Sequence, residues 1–247
     1  MRISSVVLLV GILASHALPP PLRREAGLAV DVRPTVTSRR GDTVTVGYTV
    51  SVSTSSTDSL ASFAVDAPGI TAIATPTPAS SWLTITRMRA RHIGKWVHLG
   101  QLTGPGQSTP RLELTGIGLL DVVPFWAARP GFRDSVITES PVENEAVTDT
   151  LVVVNGVQGS TVGVVAIPAG ASTAGLADRL GGLIEQACAL GWIDNRGVCN
   201  SLHAKAKPQA GPLGAMLNEL RAQRGKHVNE AAFSLLSDNA AFLTARL

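Results

Sequence analysis

The sequence predicts an α+β fold in two parts: an antiparallel β-sandwich over residues 28–168, followed by a small all-helical bundle over residues 169–247. Three observations predict it. Apolar residues alternate with polar ones in the first part and recur at helical spacing in the second. Gly, Pro, Ser and Asp separate the alternating runs, with no helical run between them. With 247 residues, 45% hydrophobic and 16% charged, the chain has a globular composition and enough length for a core in each part.

Residues 1–17 have the layout of an export signal. Arg2 supplies a positive start, residues 3–14 are apolar, and Ser15 and Ala17 are the small residues that precede a cleavage site. The apolar run is too short to span a bilayer as a helix; its alternative interpretation is an uncleaved anchor or a buried strand. We expect cleavage after Ala17, a Pro-rich linker over residues 18–27, and a mature protein that is secreted or held at the cell surface or in the periplasm.

The strand prediction is clearest over residues 42–53, where alternate positions are apolar. That predicted face consists of Val44, Val46, Tyr48, Val50 and Val52. Other β-rich runs cover residues 59–68, 70–78, 82–90, 96–102, 111–123 and 150–168. In the last run, the residues Asn-Gly-Val-Gln-Gly-Ser at 155–160 predict the turn of a closing hairpin. Several short strands with turns between them favour a sandwich.

The first two predicted helices follow residue 169. Helical spacing in the first helix relates Leu176, Leu180, Leu183, Ile184 and Ala187. Ser172 or Thr173 is expected to cap its start, and Gly191 to follow its end. The second helix is predicted over residues 195–207, because Pro208 cannot continue it.

Two more helices are predicted over residues 213–224 and 230–246, on either side of a basic corner, Arg-Gly-Lys-His at 224–227. A phosphate-binding loop would follow a strand and place Ser or Thr after its Lys, whereas here a helix precedes the cluster and His follows the Lys.

The corner is therefore interpreted as a helix junction, with Gly225 in a left-handed conformation and Asn229 as the next N-cap. Val228 and Phe233 have the spacing of a hydrophobic staple, so we expect Gly225 and this pair to matter for stability. Arg224 and Lys226 are expected to be dispensable. The apolar stripe predicted for the last helix consists of Phe233, Leu236, Ala240, Leu243 and Leu247.

Cys188 and Cys199 are the two cysteines of the chain. An even number of cysteines in an exported protein favours a disulfide, because the compartment is oxidising; two buried free thiols are the alternative. A zinc site would need paired ligand spacings that this stretch lacks. The predicted bridge would clamp the first helix onto the second.

Residues 191–207 and 216–247 resemble the FIMAH domain, a small all-helical module at the C-terminus of many exported bacterial proteins. The resemblance is carried by a Gly-x-Ile corner with a following Asn-Ser-Leu, at 191–193 and 200–202, and by the Arg-Gly-Lys corner at 224–226. The stretch between Lys207 and Leu213 is shorter than in the family pattern. The resemblance implies an accessory module and supplies no catalytic residue.

A second resemblance concerns the β-rich part. The Gly-Asp-x-Val-Thr start at 41–45 is similar to the opening of the Ig-like repeats of bacterial surface proteins. The segment Gly-Pro-Gly-Gln-Ser at 104–108 is similar to a corner of those repeats. This resemblance implies an Ig-like sandwich.

The remaining polar clusters predict no catalytic, cofactor or metal site, so we expect a protein that is not an enzyme. Arg87, Arg89 and Arg91 alternate, as for an anion site or a solvated sheet face. His92 and His98 are placed to approach one another across a turn, but no carboxylates accompany them. The acidic stretch 134–145 lacks the regular spacing of an EF-hand loop.

The function expected from these features is that of an exported, structural or adhesive accessory protein that contacts a protein or a cell-surface polymer. The alternative is a carbohydrate-binding module that uses Trp82, Trp96 or Trp126, if these side chains are exposed. A net charge of +3 without a clustered basic surface does not favour nucleic acid as a partner, and no membrane span is expected.

Overall fold

The computed structural model describes residues 27–88, 92–100, 102–130 and 157–247. The predicted signal, nearly all of the predicted linker and the acidic stretch 134–145 lie outside these residues. The described part contains an antiparallel β-sandwich followed by four helices, so the predicted fold class is confirmed. The strands are β1 (Val30–Arg40), β2 (Thr43–Val52), β3 (Ser62–Asp66), β4 (Ile70–Ile73), β5 (Trp82–Met88), β6 (His92–His98), β7 (Leu112–Ile117), β8 (Leu119–Ala128) and β9 (Val157–Val165).

The sandwich consists of a four-stranded sheet in the order β1-β2-β7-β4 and a five-stranded sheet in the order β5-β6-β3-β8-β9. All paired strands are antiparallel. β1, β2, β7 and β4 take the places of the A, B, E and D strands of an Ig domain, and β3, β8 and β9 take those of C, F and G. The edge strands are therefore β1 and β4 in the first sheet and β5 and β9 in the second.

The alternating run predicted over residues 42–53 forms β2 and supplies the centre of the core. Its five predicted inward residues are at most 2% exposed. The Tyr48 ring lies 5.7 Å from the Phe63 ring and 6.0 Å from the Trp96 ring, between centroids. Its hydroxyl donates a hydrogen bond of 2.8 Å to the carbonyl oxygen of Val162, and burial raises the pKa of this phenol.

Two strands depart from the expectation. β9 runs without interruption from Val157 to Val165 along β8, so the hairpin turn predicted over residues 155–160 is wrong. The ladder with β8 satisfies the backbone groups of residues 157–160, which a local turn would have had to satisfy internally. β1 was not among the predicted runs. It contains Pro34, a residue tolerated here because β1 is an edge strand with one pairing partner.

The helices are α1 (Thr173–Ala189), α2 (Arg196–Lys205), α3 (Ala210–Gln223) and α4 (Glu230–Thr244). Three begin with side-chain caps. Ser172 rather than Thr173 caps α1, Asn195 caps α2, and Asn229 caps α4 as predicted. The connections after α1 and α3 pass through Gly191 and Gly225, whose φ angles of 70° and 72° favour glycine.

The helices share one continuous hydrophobic core with the sandwich. α4 packs against β1, β8 and β9, so it covers part of the β1 edge of the first sheet and of the β9 edge of the second. The seam between the two parts also contains buried polar contacts. Arg39 of β1 donates to both carboxylate oxygens of Asp238 at 2.8 and 2.9 Å, and the Asn239 side chain exchanges two hydrogen bonds with the backbone of Leu120. Ser234 donates to the carbonyl oxygen of Pro34. These contacts fix α4 in one position against the sheets.

Candidate functional site

The surface of the described residues contains two open grooves. The first, here called the seam groove, has a volume of about 630 Å³ and lies between the edge strands and the α3–α4 corner. The second, here called the corner groove, has a volume of about 680 Å³ and lies over the junction of α1 and α2.

The seam groove is assembled from distant parts of the chain. β1 contributes residues 30–33, β9 contributes Gly159 and Ser160, and the helical part contributes Trp192 and Glu230. Trp192 is half-buried and packs against the main core, so one part of its indole is fixed and another part faces the groove. The sequence predicts a turn at Gly159 and Ser160 and a corner at Trp192, but not that these residues share one surface, because no local motif connects four separate elements.

Two pairs of oppositely charged side chains lie at the rim of the seam groove. Arg33 donates to Asp31 at 2.7 Å, and Arg224 forms a two-point ion pair with Glu230 at 2.8 and 2.7 Å. The hydrogen bonds from Arg224 are the main cause that lowers the pKa of Glu230, and the positive charges of Arg224 and Arg33 lower it further. The rim therefore carries charges of both signs, and two hydrogen bonds orient Arg224 and Glu230.

The basic corner turns the chain as predicted, but its arginine has more contacts than expected. Besides Glu230, the Arg224 guanidinium packs over the Phe233 ring, 4.2 Å from its centroid. Val228 is buried, whereas Phe233 is half-buried and covered in part by Arg224. The predicted stripe also ends early, because Leu247 is 53% exposed: α4 has already ended at Thr244.

The floor of the corner groove contains the bond between Cys188 of α1 and Cys199 of α2, the two cysteines for which a bridge is predicted. Their Cα atoms lie 6.3 Å apart, and the bridge joins the end of one helix to the beginning of the next. The free-thiol alternative does not describe this structure, in which no described cysteine is free.

Two histidine–carboxylate pairs lie at the helical corners. His203 Nε2 is 3.1 Å from Glu185 Oε1, and His227 Nδ1 is 2.8 Å from Asp194 Oδ1. Within the described residues, no hydroxyl or thiol side chain hydrogen-bonds to either histidine, so neither pair extends into a nucleophilic triad. The same residues contain no group of three or more metal-ligating side chains. The first pair joins α1 to α2, and the second joins the α1–α2 connection to the α3–α4 connection.

The other polar clusters singled out from the sequence do not converge. His92 and His98 are the first and last residues of β6, about 20 Å apart at strand spacing, so the predicted approach is wrong. The His98 ring instead packs 4.2 Å from the Trp82 ring, and burial lowers the pKa of His98. Arg87 pairs with Ile93 in the β5–β6 ladder, whereas Arg89 and Arg91 lie outside the described residues.

The tryptophans proposed as a sugar platform are part of the protein interior. Trp82, Trp96 and Trp126 are 6%, 0% and 2% exposed. A stacking platform requires an indole face open to solvent. These three side chains therefore offer no surface for a sugar ring, and the half-buried Trp192 is the tryptophan that borders a groove.

No protein-family model matches the chain, and no curated protein matches its sequence. Among solved structures, the chain is similar to an uncharacterized protein from Nocardia farcinica described as having an immunoglobulin-like fold. That match has 12% identity and a TM-score of 0.31, and it covers 57% of this chain and 98% of the other. At this level the similarity supports no argument about function. In the segments that the structure covers, no helix is long and apolar enough to cross a membrane.

Proposed function

We propose that this chain is an exported, non-catalytic accessory protein, structural or adhesive, that acts through contacts with a protein or a cell-surface polymer. The seam groove is the observation that carries the proposal. It is an open concave surface on a scaffold whose two parts share one core. The predicted signal over residues 1–17 and the disulfide support export, because disulfides persist in oxidising compartments.

The lining of the seam groove suits contact with an extended chain. Among the described strands, the edge strand β1 pairs with β2 alone, and Trp192 supplies apolar area beside its other edge. The two hydrogen bonds between Arg224 and Glu230 orient these side chains of the polar rim before a partner arrives. A preorganised rim lowers the entropy that binding removes, which favours affinity.

The FIMAH resemblance of the helical part belongs to the same proposal. Its two matching corners, at 191–193 and 224–226, both border the seam groove through Trp192 and Gly225. We therefore assign the accessory module a direct part in the contact surface. Carbohydrate binding through the tryptophans of the sandwich is the less favoured function, because Trp82, Trp96 and Trp126 are buried.

The test is co-sedimentation of the purified mature protein with envelope fractions of the native host. The groove variant is Arg33→Glu, which places a third acidic side chain near Asp31 and Glu230. The matched control is Arg111→Glu, the same charge reversal at an exposed residue that does not line the groove. We expect the groove variant to bind about tenfold more weakly, as for loss of one well-placed charged contact, and the control to bind like the wild type.

Two outcomes would contradict the proposal. Equal retention of both variants would remove the seam groove from the contact surface. No retention of the wild-type protein on any fraction would reject the adhesive role altogether.

A further inference from the structure

The disulfide between Cys188 and Cys199 borders the open corner groove. Both Cys188 and Cys199 are half-buried rather than buried, and both line the open groove. A thiolate cleaves a disulfide by attacking one sulfur while the other sulfur leaves as a thiolate. The surroundings of the two sulfurs therefore decide which one is attacked and which one leaves.

The two sulfurs lie at helix ends of opposite polarity. Cys199 is in the first turn of α2, and its backbone N–H bonds to the carbonyl oxygen of the cap residue Asn195. Cys188 is the residue before the last one of α1. The positive end of a helix stabilises a thiolate and the negative end destabilises it. Cys199 is therefore the better leaving group.

Charged side chains reinforce this polarity. Arg196 precedes Cys199 by three positions on α2, and Glu185 precedes Cys188 by three positions on α1, a spacing that makes neighbours on a helix surface. All four residues line the corner groove. The first turn of α2 has no acidic residue, and the last turn of α1 has no basic one.

The groove has two further charged or titratable groups. Asp194 lies 2.8 Å from His227, and His203 lies 3.1 Å from Glu185. Arg196 lines the groove on the Cys199 side, and within the described residues it forms no ion pair with a carboxylate.

We propose that the corner groove is a thiol–disulfide exchange site in which Cys188 is the attacked sulfur and Cys199 is the leaving and resolving one. A thiolate of a dithiol reductant forms a bond to Cys188 Sγ, the Cys188–Cys199 bond breaks, and its electron pair remains on Cys199 Sγ. The second thiolate of the reductant then attacks the reductant sulfur of the mixed disulfide. It releases Cys188 as a thiolate, which takes up a proton.

The exchange is balanced, because the dithiol is oxidised to a disulfide as the protein bridge is reduced to two thiols. In the oxidising direction the order reverses. Cys188 carries the mixed disulfide, and the Cys199 thiolate closes the bridge by displacing the other sulfur. The same geometry therefore gives the two cysteines distinct roles in both directions.

The test treats the folded mature protein with reduced glutathione, quenches with acid, alkylates the free thiols and locates the glutathione by peptide mass spectrometry. We expect glutathione on Cys188 about fivefold more often than on Cys199, the size expected from two helix ends of opposite polarity. In denaturing urea the ratio should approach one, because the helix ends are lost. An even or reversed ratio in the folded protein, or no mixed disulfide before unfolding, would overturn the proposal.

A pair of charge variants adds a second readout. Arg196→Gln should lower the ratio about twofold, whereas Arg221→Gln, an exposed arginine on α3, should leave it unchanged. Circular dichroism establishes that both variants are folded. If either fails to fold, the wild-type ratio still decides the proposal. Equal ratios in the wild type and in Arg196→Gln would exclude the role given to Arg196.

Discussion

The ion pair between Arg39 and Asp238 provides the sharpest test of how the helices are held on the sandwich. Their side chains are only 15% and 8% exposed, and 199 positions separate them in the sequence. Asp238→Ala leaves the Arg39 guanidinium buried without its carboxylate. Removing one partner of a buried pair typically costs about 3–5 kcal/mol. We expect a value near the lower end, about 3 kcal/mol, because Arg39 keeps a hydrogen bond to the carbonyl oxygen of Gly118 and its contact with the Phe242 ring.

The structure provides a matched control for this substitution. Asp31→Ala removes the same kind of partner from Arg33, but those side chains are 60% and 64% exposed. An exposed pair contributes about 0.2–1 kcal/mol, so the control should be nearly neutral. The double variant Arg39→Met with Asp238→Leu removes both buried charges and should recover at least about half of the lost stability.

Equilibrium urea unfolding, followed by circular dichroism and by tryptophan fluorescence, measures these differences. The shared core predicts one cooperative transition in which both probes coincide. Equal costs for Asp238→Ala and Asp31→Ala would show that the buried pair does not hold the helices on the sandwich. Loss of the helical signal at a lower urea concentration than the fluorescence signal in the wild-type protein would show that the two parts unfold separately.

Three further predictions follow from the sequence and the structure. The mature chain should begin at Leu18, and N-terminal sequencing of protein from the native host's medium or envelope that finds Met1 would refute export. Gly225→Val should destabilise the protein by about 1–3 kcal/mol, because the φ angle of residue 225 is 72°. Lys226→Ala should change stability by less than about 0.5 kcal/mol. Thermal melts that rank the two variants in the opposite order would contradict the interpretation of this corner as a helix junction. The pKa of Glu230 is lowered, so its ion pair stabilises the fold at neutral pH and this contribution is lost as pH falls through the lowered pKa. Glu230→Gln should therefore weaken the acid dependence of the unfolding midpoint, and an unchanged dependence would show that the pair contributes nothing.

The sequence by itself determined the features whose cause is local. The inward face of β2 follows from alternation, because a strand places alternate side chains on one side whatever its partner is. The cap at Asn229 follows for the same kind of reason, since its side chain accepts a hydrogen bond from the backbone N–H of Ala232, three residues away. The helix junction at Gly225 likewise depends on one backbone angle and the residue that tolerates it.

Where long-range pairing competed with a local pattern, the local pattern gave the wrong answer. The glycines around residues 155–160 resemble a turn, yet the described residues 157–160 extend along β8, because the ladder satisfies their backbone groups. Leu247 has the spacing of a stripe residue but lies beyond the end of α4, where none of the described elements covers it. His92 and His98 similarly occupy one strand rather than the two sides of a turn.

Only the tertiary structure decided how the two parts meet and where the grooves lie. The seam depends on contacts such as Arg39–Asp238 and Leu120–Asn239, which join positions 199 and 119 residues apart. The seam groove lies where β1 and β9 meet the α3–α4 corner. The corner groove lies where the C-terminus of α1 meets the N-terminus of α2. A local pattern determines which face of an element is apolar, but the burial of that face against one partner rather than another depends on the packing of the whole chain.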